Sequence, residues 1–216
     1  MQATKRDDVR PTTTRMFESD FIERFSRIHP ATPFVFWLPV LAYLVVRNFT
    51  RAPGGEVAPL PFVGLVVGGI VFWSLAEYVL HRYVFHFQRE STFWRRFHFL
   101  VHGVHHDYPN DKDRLVMPLG ASIPMGAIFF SIFLGTMGVH ALPFFVGFGL
   151  GYLTYDGTHF ALHHFKLTGP VGKALKKHHM LHHHLDHAGG FGVSSPLWDF
   201  VFRTLPQPKK RAVKAD

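Results

Sequence analysis

Histidine occurs 17 times in these 216 residues, more often than Asp and Glu together, which number 15. Ten of the histidines form four groups. His81 and His86 close the string Glu77-Tyr-Val-Leu-His-Arg-Tyr-Val-Phe-His86. His102, His105 and His106 make one HxxHH, His159 and His163 an HxxxH, and His179, His182 and His183 a second HxxHH. Neutral imidazole is the commonest protein ligand for metal ions. Residues three and four apart share a helix face, so each HxxHH projects three imidazoles from one face and the HxxxH projects two. His81 and His86, five apart, stand about 140° from each other round a regular helix. Either the helix ends between them or they serve different ions. Ten imidazoles are too many for one ion, whereas two ions with about five ligands each and an open position fit the count. Imidazole suits iron, zinc, copper and nickel, so the ligand type does not name the metal. The absence of cysteine excludes disulfides, iron–sulfur clusters and thiolate zinc sites.

Acidic residues beside these groups are candidates to accept the outer N–H of a ligand ring. Asp156 stands three residues before His159, and Glu77 four before His81 in an apolar stretch where an ionisable group is costly. Asp107 and Asp186 read as solvated or capping residues. His98, His164, His178, His184 and His187 flank the four groups, while His29 and His140 read as structural.

The elements that must position these rings are apolar. Four stretches stand out, at 33–46, 60–80, 115–139 and 141–155. Crossing a bilayer takes about 20 apolar residues per helix. The second and third stretches suffice alone. The first and fourth are short, and the fourth reaches length if its helix continues through Phe165. Packing all four as the core of a soluble protein would leave too little polar helix to cover them. Between the first and second stretches the charges are Arg47, Arg51 and Glu56, and between the third and fourth there is only His140. The opposite side carries Lys5, Arg6, Arg10, Arg15, Arg24, Arg27, Arg82, Arg89, Arg95, Arg96, Lys112, Arg114 and everything from Lys166 onward. The positive-inside bias puts both termini and the histidine groups in the cytoplasm. The net charge of +8, set beside apolar blocks, points to a phospholipid surface and not to nucleic acid.

No secretory signal or internal repeat is present. Residues 19–28, with Ser19 as N-cap and Phe21, Phe25 and Ile28 on one face, predict a short interfacial helix. Ser195-Pro196 predicts another, with Leu197, Phe200 and Val201 toward the interface. The 12–14 threonine run and the basic 209–214 segment read as mobile. The organisation expected is a tail with an interfacial helix over 1–31, a membrane domain over 32–206 and a basic tail over 207–216.

The order HxxxxH, HxxHH, HxxxH, HxxHH resembles the fatty acid hydroxylase/sterol desaturase superfamily of membrane di-iron enzymes. The flanking strings Arg15-Met-Phe-Glu-Ser-Asp-Phe, Phe36-Trp-Leu-Pro-Val, His102-Gly-Val-His-His-Asp-Tyr-Pro-Asn-Asp and Gly190-Phe-Gly-Val-Ser-Ser-Pro-Leu-Trp-Asp are similar to the fatty acid 2-hydroxylase branch. The resemblance runs from about Arg15 to Phe202. It implies an all-α integral membrane fold with four transmembrane helices and a cytoplasmic helical cap. Two iron ions, for which zinc substitutes in isolated protein, would be held by His81, His86, His102, His105, His106, His159, His163, His179, His182 and His183. It also implies O2-dependent hydroxylation at C2 of the acyl chain of ceramide or a related lipid, with Tyr155 and Asp156 near the substrate. Phe191 and Trp198 are candidates to line an acyl channel. Many eukaryotic members carry an N-terminal cytochrome b5 domain. About 31 residues precede the first span here, so electrons are expected from a separate cytochrome b5 or ferredoxin-type protein. The expected location is a bacterial inner membrane or the endoplasmic reticulum. The rival readings are a sterol or carotenoid oxygenase or desaturase of the same superfamily, a membrane zinc-binding transporter, and a zinc lipid hydrolase.

Overall fold

The computed structural model describes residues 14–51, 56–87 and 89–208. The 209–214 segment and Thr12 and Thr13 therefore lie outside the described residues. Among the described residues every regular element is a helix. Among the described residues three segments are long and apolar enough to cross a membrane: Thr32–Thr50, Pro59–Phe85 and Leu119–His164.

The first segment is helix α2, which follows the short α1 (Asp20–Phe25). It is longer than the apolar block 33–46 foretold. Beyond that block the polar Asn48 is buried with its amide paired to backbone. Its Nδ2 donates to the Val57 carbonyl and its Oδ1 accepts from Val57 N–H, both at 3.0 Å. A buried polar group so paired costs little, and the helix runs on to Thr50. Helix α3 (Pro59–Leu80) starts with prolines, whose fixed φ suits a first turn. The elements that follow, at the histidine end, are α4 (Thr92–His98) and α5 (Val104–Asp107).

The third segment is bent into a hairpin. Helix α6 (Leu119–Met137) ends at Gly138, whose φ of +56° is a conformation glycine adopts without a Cβ clash. A single 3-10 turn then leads into α7 (Ala141–His164), which continues to His164 as the fourth block required. Ring contacts Phe133–Phe144 at 5.0 Å and Phe129–Phe148 at 4.7 Å fix an antiparallel register.

Helix α7 is the axis of the molecule, and α3 packs along it most closely. A Cβ on Gly147 would lie 1.9 Å from the Val66 carbonyl oxygen, and one on Gly69 would lie 2.1 Å from that of Phe144. Small residues are what let helix backbones approach this near in an apolar medium. Helices α3 and α7 run toward the histidine groups, and α2 and α6 run away from them. Phe34 near the start of α2 touches Gly157, and Trp37 Nε1 donates to Ser122 Oγ at 3.2 Å. Helices α8 (Pro170–His184) and α9 (Leu197–Val201) complete the histidine end.

The amphipathic reading of 19–28 is realised in part. Ser19 caps α1, and Phe21 and Phe25 are exposed, but the helix stops before Ile28. Glu23 forms an ion pair with the buried Arg114 and accepts the Met16 and Phe17 N–H groups, which ties α1 to the segment before α6. Helix α9 likewise exposes Leu197, Phe200 and Val201.

Candidate metal centre

The ten histidines of the four sequence groups converge at one end of the bundle as two clusters of five. The first holds His81, His86, His102, His106 and His182; the second holds His105, His159, His163, His179 and His183. Within each cluster the candidate ligand atoms all lie within 4.8 Å of one another.

The clusters are assembled by crossing. Each HxxHH sends its i and i+4 rings to one cluster and its i+3 ring to the other. His102 and His106 therefore part from His105, and His179 and His183 from His182. The single-face expectation is corrected here: 3.6 residues per turn put i+3 and i+4 on either side of i, and two targets stand there to receive them.

His81 and His86 fall in the same cluster, so the reading that they serve different ions is corrected. The α-helix stops at Leu80 and continues as one wide π turn, His81–Phe85, closed by His86 N–H to the His81 carbonyl at 3.1 Å. The wider turn brings residues five apart toward one face, and such turns recur at functional sites. A second π turn, Phe99–Gly103, delivers His102.

The ring nitrogens suit cations. Nε2–Nε2 separations are 3.0 Å for His81–His102, 3.1 Å for His102–His106, 3.1 Å for His105–His183 and 2.9 Å for His163–His179. Ligands at right angles on an ion with metal–nitrogen bonds of about 2.1 Å stand about 3.0 Å apart. Burial, reinforced by facing imidazoles, holds His102, His105 and His179 well below the usual histidine range. It also lowers His86 to about 3 and His182 to about 4. The rings are therefore neutral at physiological pH and keep a lone pair for a ligand bond. The Nε2 atoms of His86, His159 and His182 are buried without a hydrogen-bond partner among the described residues. The residues present fit two metal ions.

Around the first cluster runs a loop whose Phe191 sequence reasoning offered only as a channel-lining side chain, and not as a support for the rings. His81 Nδ1 donates to the Phe191 carbonyl at 2.6 Å, and His182 Nδ1 to the Gly189 carbonyl at 2.7 Å. These bonds leave each Nε2 as the lone-pair nitrogen. Glu77, expected to hold His81 directly, instead accepts Val193 N–H at 2.6 Å, Ser194 N–H at 2.8 Å and the Ser194 hydroxyl. Asp199 accepts Phe191 N–H at 2.9 Å, Gly192 N–H at 2.7 Å and the Thr204 hydroxyl at 2.8 Å, and lies 3.1 Å from His178 Nε2. Asp199 appears in the matched Trp-Asp string, but a carboxylate that binds backbone leaves no partner to find in sequence.

Asp156 makes no hydrogen bond to His159. Both its oxygens and both His159 nitrogens lack partners of ordinary geometry. The carboxylate instead faces the Tyr152 hydroxyl and the Met117 backbone. The i−3 offset shares a face with His159 without bringing the groups into contact. Tyr155 is buried beside the His159 ring, at 5.6 Å between centroids, and Trp73. One turn back along α7 from Asp156, Tyr152 lines a narrow apolar cavity with Trp37, Trp73, Phe145 and Phe148. Phe191 is buried against His81, His86 and His182, while Trp198 Nε1 donates to Ser74 Oγ at 3.0 Å. Of the flanking histidines, His187 lies 5.3 Å from His106 and His98 6.2 Å from His86, centroid to centroid. His140 sits in the 3-10 turn at the opposite end of the bundle.

Comparison with known proteins agrees with this geometry. The fatty acid hydroxylase family profile matches residues 66–204, a stretch that holds all ten histidines. The chain belongs to the fatty acid hydroxylase family. It is similar to the dihydroceramide fatty acyl 2-hydroxylase of Arabidopsis thaliana, at 42% identity over 198 residues, covering 90% of this chain and 81% of that protein. It is similar also to the fatty acid 2-hydroxylase of Rattus norvegicus, at 36% identity over 211 residues, covering 88% of this chain and 56% of that protein. Among solved structures, full-length scs7p, in which only the hydroxylase domain is visible, matches with a TM-score of 0.80 at 37% identity, over 88% of this chain and 72% of that one. A fatty acid hydroxylase is an enzyme, which sets aside the transporter reading.

Proposed function

We propose that this chain is an O2-dependent fatty acyl 2-hydroxylase that inserts one oxygen atom at C2 of the acyl chain of ceramide or a related lipid. The observation that carries this is the pairing of two five-imidazole clusters at the end of an apolar helix bundle in a member of this family. The named substrates of the relatives supply the lipid class.

The ten histidines would hold two iron ions, with zinc able to substitute. When bound, that pair supplies oxygen activation and the removal of hydrogen from an unactivated carbon, chemistry no side chain here can perform. The chain's own residues bind, orient and exclude water. Tyr155 and Asp156, on the last turns of α7 before His159, fix the polar end of the lipid. The buried carboxylate of Asp156 faces the Tyr152 hydroxyl without a bond of ordinary geometry, so both have hydrogen-bonding capacity to offer. Phe191 keeps water from the first cluster, and the cavity beyond Tyr152 offers alkyl groups a largely apolar wall.

The α6–α7 hairpin supplies two of four membrane spans, with the histidine end as a cap on the cytoplasmic face. Residues 1–31 form the leading tail and interfacial helix, 32–206 the membrane domain and 207–216 the basic tail. The flanking arginines and lysines support this orientation. Electrons come from a separate donor protein. Expression in a host that makes ceramide, under 18O2, tests the reading. Mass spectrometry should find one labelled oxygen on the acyl chain at C2. Oxygen derived from water, oxygen at another carbon, or an unchanged lipid profile refutes it.

A further inference from the structure

The two clusters are supported unequally. In the first, the outward nitrogens of His81 and His182 donate to the Phe191 and Gly189 carbonyls, while His106 Nδ1 meets no partner among the described residues. In the second, Nδ1 of His105, His159, His179 and His183 meets no hydrogen-bond partner among the described residues. The two accepting carbonyls belong to one loop, whose next four N–H groups, from Phe191 to Ser194, are all taken by two buried carboxylates. Asp199 accepts the N–H groups of Phe191 and Gly192, and Glu77 those of Val193 and Ser194. Glu77 projects from α3, one turn before His81, and Asp199 from α9. The loop is thus pinned to the helix that carries His81, and its carbonyls are aimed back at the His81 and His182 rings.

From this arrangement we infer that Glu77 and Asp199 are positioning residues for one metal ion only, the ion held by His81, His86, His102, His106 and His182. They act through the backbone of the 189–195 loop and touch no ligand ring themselves. A hydrogen bond to the outer nitrogen of a ligand histidine fixes ring orientation and raises ligand basicity, and its loss typically costs about 10–100-fold in metal affinity. Two rings of the first cluster receive such bonds, so loosening the loop weakens that ion and leaves its neighbour in place. The inference rests on the two-ion reading given under Proposed function.

The test is an anaerobic equilibrium titration of detergent-purified full-length protein with ferrous iron against a competing chelator, with bound iron counted by mass spectrometry. Wild type should take up two ions per chain. Glu77→Gln and Asp199→Asn should each weaken one step by about 10–100-fold and leave the other unchanged. Two backgrounds identify the step. In His183→Ala, where the first cluster is whole, adding Glu77→Gln should strip the remaining ion. In His182→Ala, where the second cluster is whole, it should not. Should Glu77→Gln fail to accumulate in membranes, Ser194→Ala and Thr204→Val carry the same test. Each removes one hydroxyl donor from a carboxylate, and the shift should be smaller and fall on the same ion. Equal weakening of both ions, or loss of the ion from the His182→Ala background, overturns the inference. A wild type that binds no iron overturns the two-ion reading instead.

Discussion

Replacing Gly147 by alanine would act at a distance on the histidine clusters. The added Cβ would meet the Val66 carbonyl oxygen at 1.9 Å, its carbon at 2.7 Å and its Cα at 2.9 Å. All three are backbone atoms in mid-helix, so no side chain can swing aside. A tolerable carbon–oxygen contact is about 3.3 Å, which requires α3 and α7 to part locally by about 1.4 Å. Helix α3 leads directly into His81 and His86, and α7 carries His159 and His163. The clusters would therefore be stretched beyond the roughly 0.5 Å that such constellations tolerate. Overpacking of this kind costs about 1–3 kcal/mol of stability, and misplacement near 1 Å can cost about 100-fold in rate. Gly64→Ala is the control, since its Cβ would meet nothing within 4 Å. The assay is 2-hydroxylated product per bound iron, with the thermal midpoint in detergent. Gly147→Ala should lose activity by about two orders of magnitude and melt lower, whereas Gly64→Ala should match wild type. If the two variants behave alike in both measurements, the reasoning that this crossing sets the ligand geometry is wrong.

His105→Ala and His182→Ala, one from each cluster, should each abolish hydroxylated product in the lipid profile while the protein remains in the membrane fraction. Asp156→Asn should slow turnover less severely than either, read as product per unit of protein, because the residue faces Tyr152 and Met117 and makes no hydrogen bond to a ligand ring. The metal-free protein should lose stability as pH falls. His86 and His182, lowered by burial and neighbouring imidazoles to about 3 and about 4, bind fewer protons folded than unfolded, where the value is near 6.5. Their contribution is whole above about 6.5 and drains away between that pH and the folded values. A thermal midpoint that stays flat from pH 7 to 5 would contradict this.

Much of the site could be read from spacing alone, because the histidine offsets are helical offsets and burial confirms the helices. The count of two groups of about five matches the clusters, and α7 had to run past Tyr155 for His159 and His163 to point inward. The allocation of rings could not be read. The i, i+3, i+4 rule says that three rings lie near one face, but not that two targets divide it. The π turn at His81 was equally hidden, since a wide turn has no residue signature in Arg-Tyr-Val-Phe. The loop carbonyls that fix His81 and His182 are main chain, identical at every residue. Glu77 and Asp156 were noticed for their offsets, yet their partners lie in distant segments or in another direction. The extension of α2 past residue 46 was hidden too: Asn48 pairs with the backbone of Val57, a partner that spacing does not reveal.

The crossed HxxHH motifs have a mechanical corollary. Because α5 and α8 each contribute to both cages, neither can rotate to tighten one cage without loosening the other. The spacing between the two cages is thus dictated by helical geometry, as two rivets share a strap. A single-residue insertion within either motif would disturb both cages in one event, whereas replacing a single histidine disturbs only the cage it belongs to.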